Sequence, residues 1–261
     1  IFIMKKIFYG LCAILSIIGL GSCAEKEHEI KVYTRDTTSG TRDGFFTTIG
    51  FKDAVSSDTV LVAGSIPLES NKSIVSAIQN DEYGIGYISL ATLDSSGLKG
   101  LTYESIIASE ENVLNGSYKL TRNFNYIVRS EFSNEKEQKI VEAFRAYLGT
   151  KEGLATIKSS SGIVSLDSSA PSWASIKSQY PITQEDNSNV TIKFGGSTSV
   201  ESMSKALSSE FSKLCGNFIA DHNHTGSGDA FKRTQGSEKS GPNQLHMAFA
   251  SRDFSSTENV A

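Results

Sequence analysis

Cysteine is scarce in this 261-residue sequence, with 3 residues at positions 12, 23 and 215. Cys12 is expected to leave with an N-terminal leader that ends before Cys23, and Cys23 to stand ahead of the folded part, so Cys215 is left alone there and no disulfide framework is expected. Cys215 follows Phe211 and Leu214 at helical spacing, which reads as a small core residue rather than a reactive thiol. An excess of positive charge is missing as well. Lys and Arg number 25 against 29 Asp and Glu, for a net charge of −4, too acidic for a nucleic-acid binder. With 38% hydrophobic and 21% charged residues the chain can bury an ordinary core. Catalytic signatures are lacking too. No Gly-x-Ser-x-Gly elbow occurs, and Ser227 sits in a glycine turn without those flanks. The Gly-Lys-Ser/Thr of a nucleotide phosphate loop is also missing. Asp221, His222 and His224 have no further Cys or His nearby, so the histidines are read as packing or capping a turn rather than holding a metal. No catalytic residue, cofactor or metal is expected.

Long hydrophobic runs are limited to one, Ile7 to Leu20, which is short for a membrane span. Lys5 and Lys6 precede it and Leu20-Gly21-Ser22-Cys23 closes it, the layout of a secretory signal. Its end resembles a bacterial lipoprotein processing site, which implies cleavage before Cys23 and a lipid on its sulfur. An uncleaved anchor or an ordinary secretory peptide are the alternatives. Residues 1–22 are thus expected to be a signal peptide and 23–29 an anchor linker, with the bulk of the chain outside the cytoplasm.

What the sequence does contain is a set of small hydroxyl-rich turns between apolar patterns. In RDTTSGTR, residues 35–42, Ser39, Gly40 and Thr41 fall where a helix would begin, and Phe45, Phe46 and Ile49 follow as its buried face. The free N–H groups of such a first turn point at whatever sits before it. Gly40 allows close backbone approach, Ser39 and Thr41 add hydroxyls, and Arg35 can supply a charged fork. The same residues also suit a plain helix cap with Arg35 as a solvated surface charge. The stretch VTIKFGGSTSV, residues 190–200, repeats the design: a β-branched strand, a Gly195-Gly196 break, then hydroxyls opening a helix with Val200, Met203, Leu207 and Phe211 on one face. Gly226-Ser227-Gly228 before Ala230 and Phe231 is a third version, and Ser251-Arg252 at the end of an apolar strand a fourth. Such turns, converging, would hold a tetrahedral oxyanion.

The remaining pattern alternates. Strands are expected near Ile30–Thr34, Thr59–Ala63, Tyr83–Ser89, Phe124–Val128, Val190–Phe194, Phe218–Asp221 and Leu245–Ala250. Helices are expected over Ser39–Ile49, Lys72–Gln79, Lys136–Leu148, Glu152–Ile157, Ser199–Leu214 and Ser227–Thr234. Alternation of this kind predicts an α/β fold with mostly parallel strands, in which ligands sit beyond the carboxyl ends of the strands. Trp173, Tyr180 and Pro181 are expected to pin the polar stretch from Asp167 to Asn189 against a lobe.

These motifs, together with YGIGYISLA at 83–91 and AFRAYLGTKEGLATIKSSSGIVSL at 143–166, resemble the phosphate-binding lipoproteins and periplasmic proteins that feed ABC-type phosphate importers. The resemblance covers nearly all of the chain after the leader. It implies a two-lobed periplasmic-binding-protein-like fold and a phosphate site of Arg35, Ser39, Gly40, Thr41, Thr198, Ser199, Val200, Ser227, Ser251 and Arg252. It also implies partnership with the permease and ATPase subunits of an importer, a lipid anchor at Cys23 on the outer face of the cell membrane, and no chemistry of the protein's own. The order of the motifs is the reverse of the family's usual one, which suggests a circular permutation or else the middle of a tandem arrangement, and a chain that is a fragment. On that reading residues 30–122 are an incomplete second (Ser-Gly-Thr) lobe, 123–166 a crossover with part of the first lobe, 167–189 a connection, and 190–261 the first (Gly-Ser-Thr-Ser-Val) lobe.

Selectivity is left open at this level. The family tells phosphate from sulfate partly through a carboxylate that accepts the proton of hydrogen phosphate, and sulfate has no proton to offer. Arg252 and Thr37 occupy positions where the family often has acidic residues; Asp36 and Asp253 are possible replacements. Sulfate or another tetrahedral oxyanion is the alternative ligand, and a non-transport surface lipoprotein that keeps the fold is the alternative role.

Overall fold

Val32, Tyr33 and Thr34 favour extended backbone, and they form the centre of the first strand, β1 (Lys31–Arg35). The computed structural model describes residues 28–160 and 162–258, so the signal-peptide and Cys23 expectations lie outside the described residues. The chain divides into two units, 1–30 and 31–261, and the described strands and helices all belong to the second.

After β1 come helix α1 (Gly40–Thr48) and the short α2 (Asp53–Ser56), then strand β2 (Ile66–Leu68), helix α3 (Asn71–Gln79) and strand β3 (Gly84–Ile85). The strands form a parallel sheet in the order β2-β1-β3, with Tyr33 opposite Ile66 and Val32 opposite Ile85. One helical crossover joins β1 to its neighbour β2, and a second, through α3, carries the chain from β2 past β1 to β3 on its other side. Two short helices follow, α4 (Leu90–Ser96) and α5 (Glu110–Leu114).

A second sheet begins with β4 (Asn125–Val128) and is completed by β5 (Thr191–Gly196), β6 (Ile219–Asn223) and β7 (Met247–Ala250), in the order β4-β7-β5-β6. Helices α6 (Glu135–Leu148), α7 (Lys151–Ser159), α8 (Trp173–Ile176), α9 (Glu201–Leu214) and α10 (Gly228–Thr234) run between these strands. β5 is parallel to both β6 and β7, while β4 is antiparallel to β7. The expectation of an α/β fold with mostly parallel strands therefore matches the architecture.

The larger core lies on this second sheet. Ile140, Phe144 and Tyr147 of α6 meet Ile192 and Phe194 of β5 and Leu207 and Phe211 of α9. The spacing of Ile140, Phe144 and Tyr147 places them on one face of α6, which is why an otherwise charged segment folds as a helix here. Trp173 closes the cluster, with its ring 5.2 Å from Phe211 and 5.8 Å from Tyr180. Cys215 is fully buried in the same core and burial pushes its thiol up to about 12, so it packs as an inert residue. His222 stacks on Phe194 at 5.2 Å and shares a 2.9 Å hydrogen bond with Ser208 Oγ, so it too is a packing residue.

The first sheet carries a thinner apolar layer, and a buried arginine does much of the tying. Arg42 of α1 donates to Ala54 O at 2.7 Å, Ser57 O at 3.0 Å and Arg35 O at 2.7 Å, and pairs with Asp58. Phe45 stacks on Tyr87 with rings 4.4 Å apart, joining α1 to the segment after β3.

Two strands differ from expectation. Residues 59–63 form turns rather than a strand, and Gly64 turns the chain at φ 86° so that the pairing run starts at Ile66. In residues 83–91 only Gly84 and Ile85 pair with β1, and Ser89 then stands at the N-terminus of α4. Local apolar character marked both stretches, but a strand exists only where a neighbour offers hydrogen bonds.

Candidate anion-binding site

The site is assembled from the ends of β1, β5 and β7 and the first turns of the helices that follow. Ser39 is the N-cap of α1, its hydroxyl accepting from Thr41 N at 3.2 Å and Arg42 N at 3.4 Å, so the capping expectation holds. The cap is nevertheless buried, as are Gly40 and Thr41, because this turn faces the loops of the second sheet. A Cβ at Gly40 would collide with the hydroxyls of Ser227 and Ser251, so only glycine lets the two sheets approach here.

The hydroxyls form a connected set. Ser197 Oγ donates to Ser251 Oγ at 2.9 Å, Ser251 Oγ lies 3.2 Å from Ser227 Oγ, and Ser251 N donates to Ser227 Oγ at 2.9 Å. Ser199 N donates to Ser197 Oγ at 3.2 Å, and Ser199 Oγ lies 2.7 Å from Thr41 Oγ1, across the junction between the sheets. Val200 follows at the start of α9, where its N–H donates to Ser197 O at 3.3 Å. Gly228 N reaches Thr38 O at 3.1 Å, which fixes the Gly-Ser-Gly turn against the Ser-Gly-Thr turn.

Arg35 is no solvated surface charge: it is 1% exposed. Its guanidinium donates to Leu68 O at 3.2 Å, Glu69 O at 2.8 Å, Asn71 Oδ1 at 3.1 Å and Thr198 Oγ1 at 3.3 Å. Burial lowers its affinity for its proton, and the Asp36 carboxylate, 3.7 Å away, works in the opposite direction. Asp36 Oδ1 accepts from Thr38 N at 2.9 Å, while its buried Oδ2 has no hydrogen-bond partner.

Nine of the ten expected residues come together: Arg35, Ser39, Gly40, Thr41, Thr198, Ser199, Val200, Ser227 and Ser251. Arg252 stands apart. Both of its terminal nitrogens pair with Glu258, each at 2.7 Å, and that carboxylate raises its pKa. Its Nε lies 4.0 Å from Asp43 Oδ2, and its Nη1 also donates to Asp253 O at 2.8 Å.

Two residues in the cluster carried no signal in the sequence. Asn71, at the start of α3, accepts from Arg35 and donates to Ser199 Oγ at 3.1 Å and Ser89 Oγ at 3.2 Å. Arg122, in the irregular stretch before β4, donates from Nη2 to Thr41 Oγ1 at 3.1 Å and Ser199 Oγ at 3.2 Å. Burial, and then the positive charge of Arg35, push Arg122 down to about 10. Among the described residues no carboxylate accepts a hydrogen bond from the hydroxyls of this set.

Such a set is suited to an oxyanion. Hydroxyls now bonded to one another can rotate to donate outward, and two guanidinium groups with mostly neutral partners, Arg35 buried and Arg122 partly buried, supply positive charge. A cavity of about 410 Å³ also opens beside β2, but Asp36, Asp58 and Glu69 line it, and carboxylates repel an anion.

No family model matches the chain. It is 28% identical over 212 residues to the "Phosphate-binding protein PstS 2" of Streptococcus pneumoniae serotype 4, covering 78% of this chain and 65% of that protein. It is 26% identical over 186 residues to the protein of the same name from Streptococcus agalactiae serotype V, covering 67% of this chain and 61% of that one. The chain thus spans less than two thirds of the length of these curated relatives. Among solved structures it is similar to a phosphate-binding protein of a phosphate ABC transporter from Streptococcus pneumoniae. That match has a TM-score of 0.59 and 24% identity over 88% of this chain and 81% of the other. On its α/β architecture and these likenesses, the chain has the fold of the phosphate-binding proteins of ABC transporters.

Proposed function

We propose that this chain is an extracytoplasmic solute-binding protein that captures inorganic phosphate for an ABC-type importer, with no catalytic step of its own. The observation that carries this reading is the convergence of buried Arg35 with the hydroxyls of Thr41, Thr198, Ser199, Ser227 and Ser251 from separate loops. The "Phosphate-binding protein PstS 2" relatives support the choice of ligand. Arg35 would contribute charge, the Ser and Thr side chains hydroxyl bonds, and Gly40, Thr41 and Val200 backbone donors. Because these groups come from both sheets, a bound anion would hold the sheets together and present one surface to a membrane permease and its ATPase partner. Arg252 would belong to the edge of this site, held there by Glu258.

The reading extends to the chain's surroundings. Cys23 would carry a lipid that tethers the protein to the outer face of the membrane, and the reversed motif order fits a circularly permuted pair of lobes.

One observation favours a wider ligand range. Arg252, not an acid, follows Ser251, and no carboxylate among the described residues accepts from the hydroxyl set, so the repulsion that a proton-free oxyanion such as sulfate would meet there is reduced to that of Asp36, whose Oδ2 lies 3.7 Å from Arg35 Nη2. Calorimetric titration of phosphate and of sulfate decides between these. Tight phosphate binding is expected, weakened at least about a hundredfold, roughly 2.7 kcal/mol, by Arg35→Ala. Unchanged affinity in that variant contradicts the assignment, and binding of neither anion by the folded chain favours a surface lipoprotein that keeps the fold without the ligand.

A further inference from the structure

The arginines beside the hydroxyl set differ in how their charge is met. Arg42 is saturated by three backbone carbonyls and the Asp58 carboxylate, and Arg252 is neutralised by Glu258, so both have structural partners for their charge. Arg122 differs. Its Nη2 reaches only the hydroxyls of Thr41 and Ser199, its Nε is shut off from water without a hydrogen-bond partner, and no carboxylate pairs with it among the described residues. Thr41 and Ser199 are themselves 2.7 Å apart, Thr41 in the first turn of α1 and Ser199 in the turn that leads into α9, on opposite sides of the sheet junction.

The position of Arg122 is held by packing. Its guanidinium lies over the Phe124 ring at 5.7 Å, and a Cβ at Gly44 would collide with its Cδ. Arg35 is close enough to lower the proton affinity of Arg122 through like charge, which comes on top of the effect of burial. Two guanidinium groups that donate into one connected set of hydroxyls and Asn71 repel each other, and a buried donor left unmatched, as the Arg122 Nε is, is unfavourable. A tetrahedral dianion removes both penalties, since it balances the charge and offers acceptors to each fork.

We propose that Arg122 is a second cation of the oxyanion site, a direct ligand-binding residue that shares the anion with Arg35 and sets the site's preference for a doubly charged tetrahedral ion. The proposal rests on the assignment of phosphate as the ligand. It places residue 122, which lies outside every hydroxyl-rich motif, at the centre of the site rather than at its margin.

The test is calorimetric titration of inorganic phosphate into the full chain and into Arg122→Gln, with Arg145→Gln as a control that removes the same charge on the Tyr126 side of α6. Arg122→Gln is expected to lower phosphate affinity at least about tenfold, Arg122→Lys to lower it less because charge is kept and the fork lost, and Arg145→Gln to leave it unchanged. The rise in melting temperature produced by phosphate should shrink in Arg122→Gln, while its anion-free melting temperature does not fall, a pattern that a merely structural arginine would not produce. If Arg122→Gln does not fold, Arg122→Met, which keeps the stem against Gly44, is judged by the same criteria. Phosphate affinity undiminished in the folded variant overturns this proposal and leaves the phosphate assignment intact. Failure of the parent chain to bind phosphate overturns that assignment and this proposal with it.

Discussion

Gly40 shows how much of this site depends on one missing side chain. The Ser227 and Ser251 hydroxyls occupy the space a Cβ would take, so the contact between the α1 turn and the second sheet exists only with glycine. Gly40→Ala should separate the two by forcing those hydroxyls aside. A loss of about 1–3 kcal/mol in unfolding free energy is expected from the overpacking, together with weaker phosphate binding. Chemical denaturation and titration check both, and wild-type values for each would show that the turn tolerates the methyl. The same residue-scale view explains Arg252. Its position after Ser251 made it a plausible ligand, yet a bidentate partner six residues on, Glu258, takes its guanidinium.

At the scale of elements, the end of β6 and the residue just after it place His222 and His224 side by side against the start of the β5–α9 turn. Their rings stack at 5.5 Å, His222 Nδ1 lies 3.3 Å from His224 Nε2, and His224 Nδ1 lies 3.0 Å from Ser197 O. Burial is the main force pushing each down to about 4 from an ordinary value of 6.5; the neighbouring histidine adds to this for His222, whereas the Ser197 carbonyl and Glu201 oppose it for His224. Lys205 also disfavours the second charge, and Asp221 favours it at His222. The folded state therefore prefers neutral rings. Stability from this pair is complete above about pH 6.5 and is lost as pH falls toward 4, because the unfolded chain binds protons first. Urea titrations at pH 7.5 and pH 5.0 should show lower stability at the acid value, and His222→Asn with His224→Asn should reduce the difference. His246, also pushed down to about 4, should preserve part of it. An equal pH dependence in parent and double variant would rule out the pair as its source.

Elements were also the level most legible in the chain. The helices at 135–148, 151–159 and 201–214 follow from apolar spacing and from caps such as Asn134 and Thr150. The stretch at 59–63 was misleading, since Val60 and Val62 suit a strand but are exposed on turns, at 40% and 64%. β-Propensity describes a residue that fits a half-buried sheet, and whether a sheet is there is decided by other parts of the chain.

For the whole molecule, the main apolar core sits on the second sheet, while the site lies where that sheet meets the first. The proposed binding residues thus belong to loops positioned by a packed scaffold, the usual division of labour in such folds. Among the described residues no helix is long and apolar enough to cross a membrane. Attachment to the membrane, as proposed, would depend on the leader and Cys23. Cys23→Ser is expected to shift the protein from the membrane fraction to the soluble one, as judged by fractionation of expressing cells; retention in the membrane would point to an uncleaved anchor instead.

Sequence by itself determined the alternation of strands and helices, the hydroxyl-and-glycine turns and the kind of ligand they suit, because each of these is written within a few adjacent residues. Tertiary structure alone decided which charged groups reach the hydroxyl set. Arg122 lies 81 residues from Thr41 and 77 from Ser199, and Asn71 lies 128 from Ser199. No local periodicity or motif marks such partners. They meet because two separately built sheets bring their loop ends to one junction, where burial removes water and leaves each guanidinium and hydroxyl to find its partner across the fold.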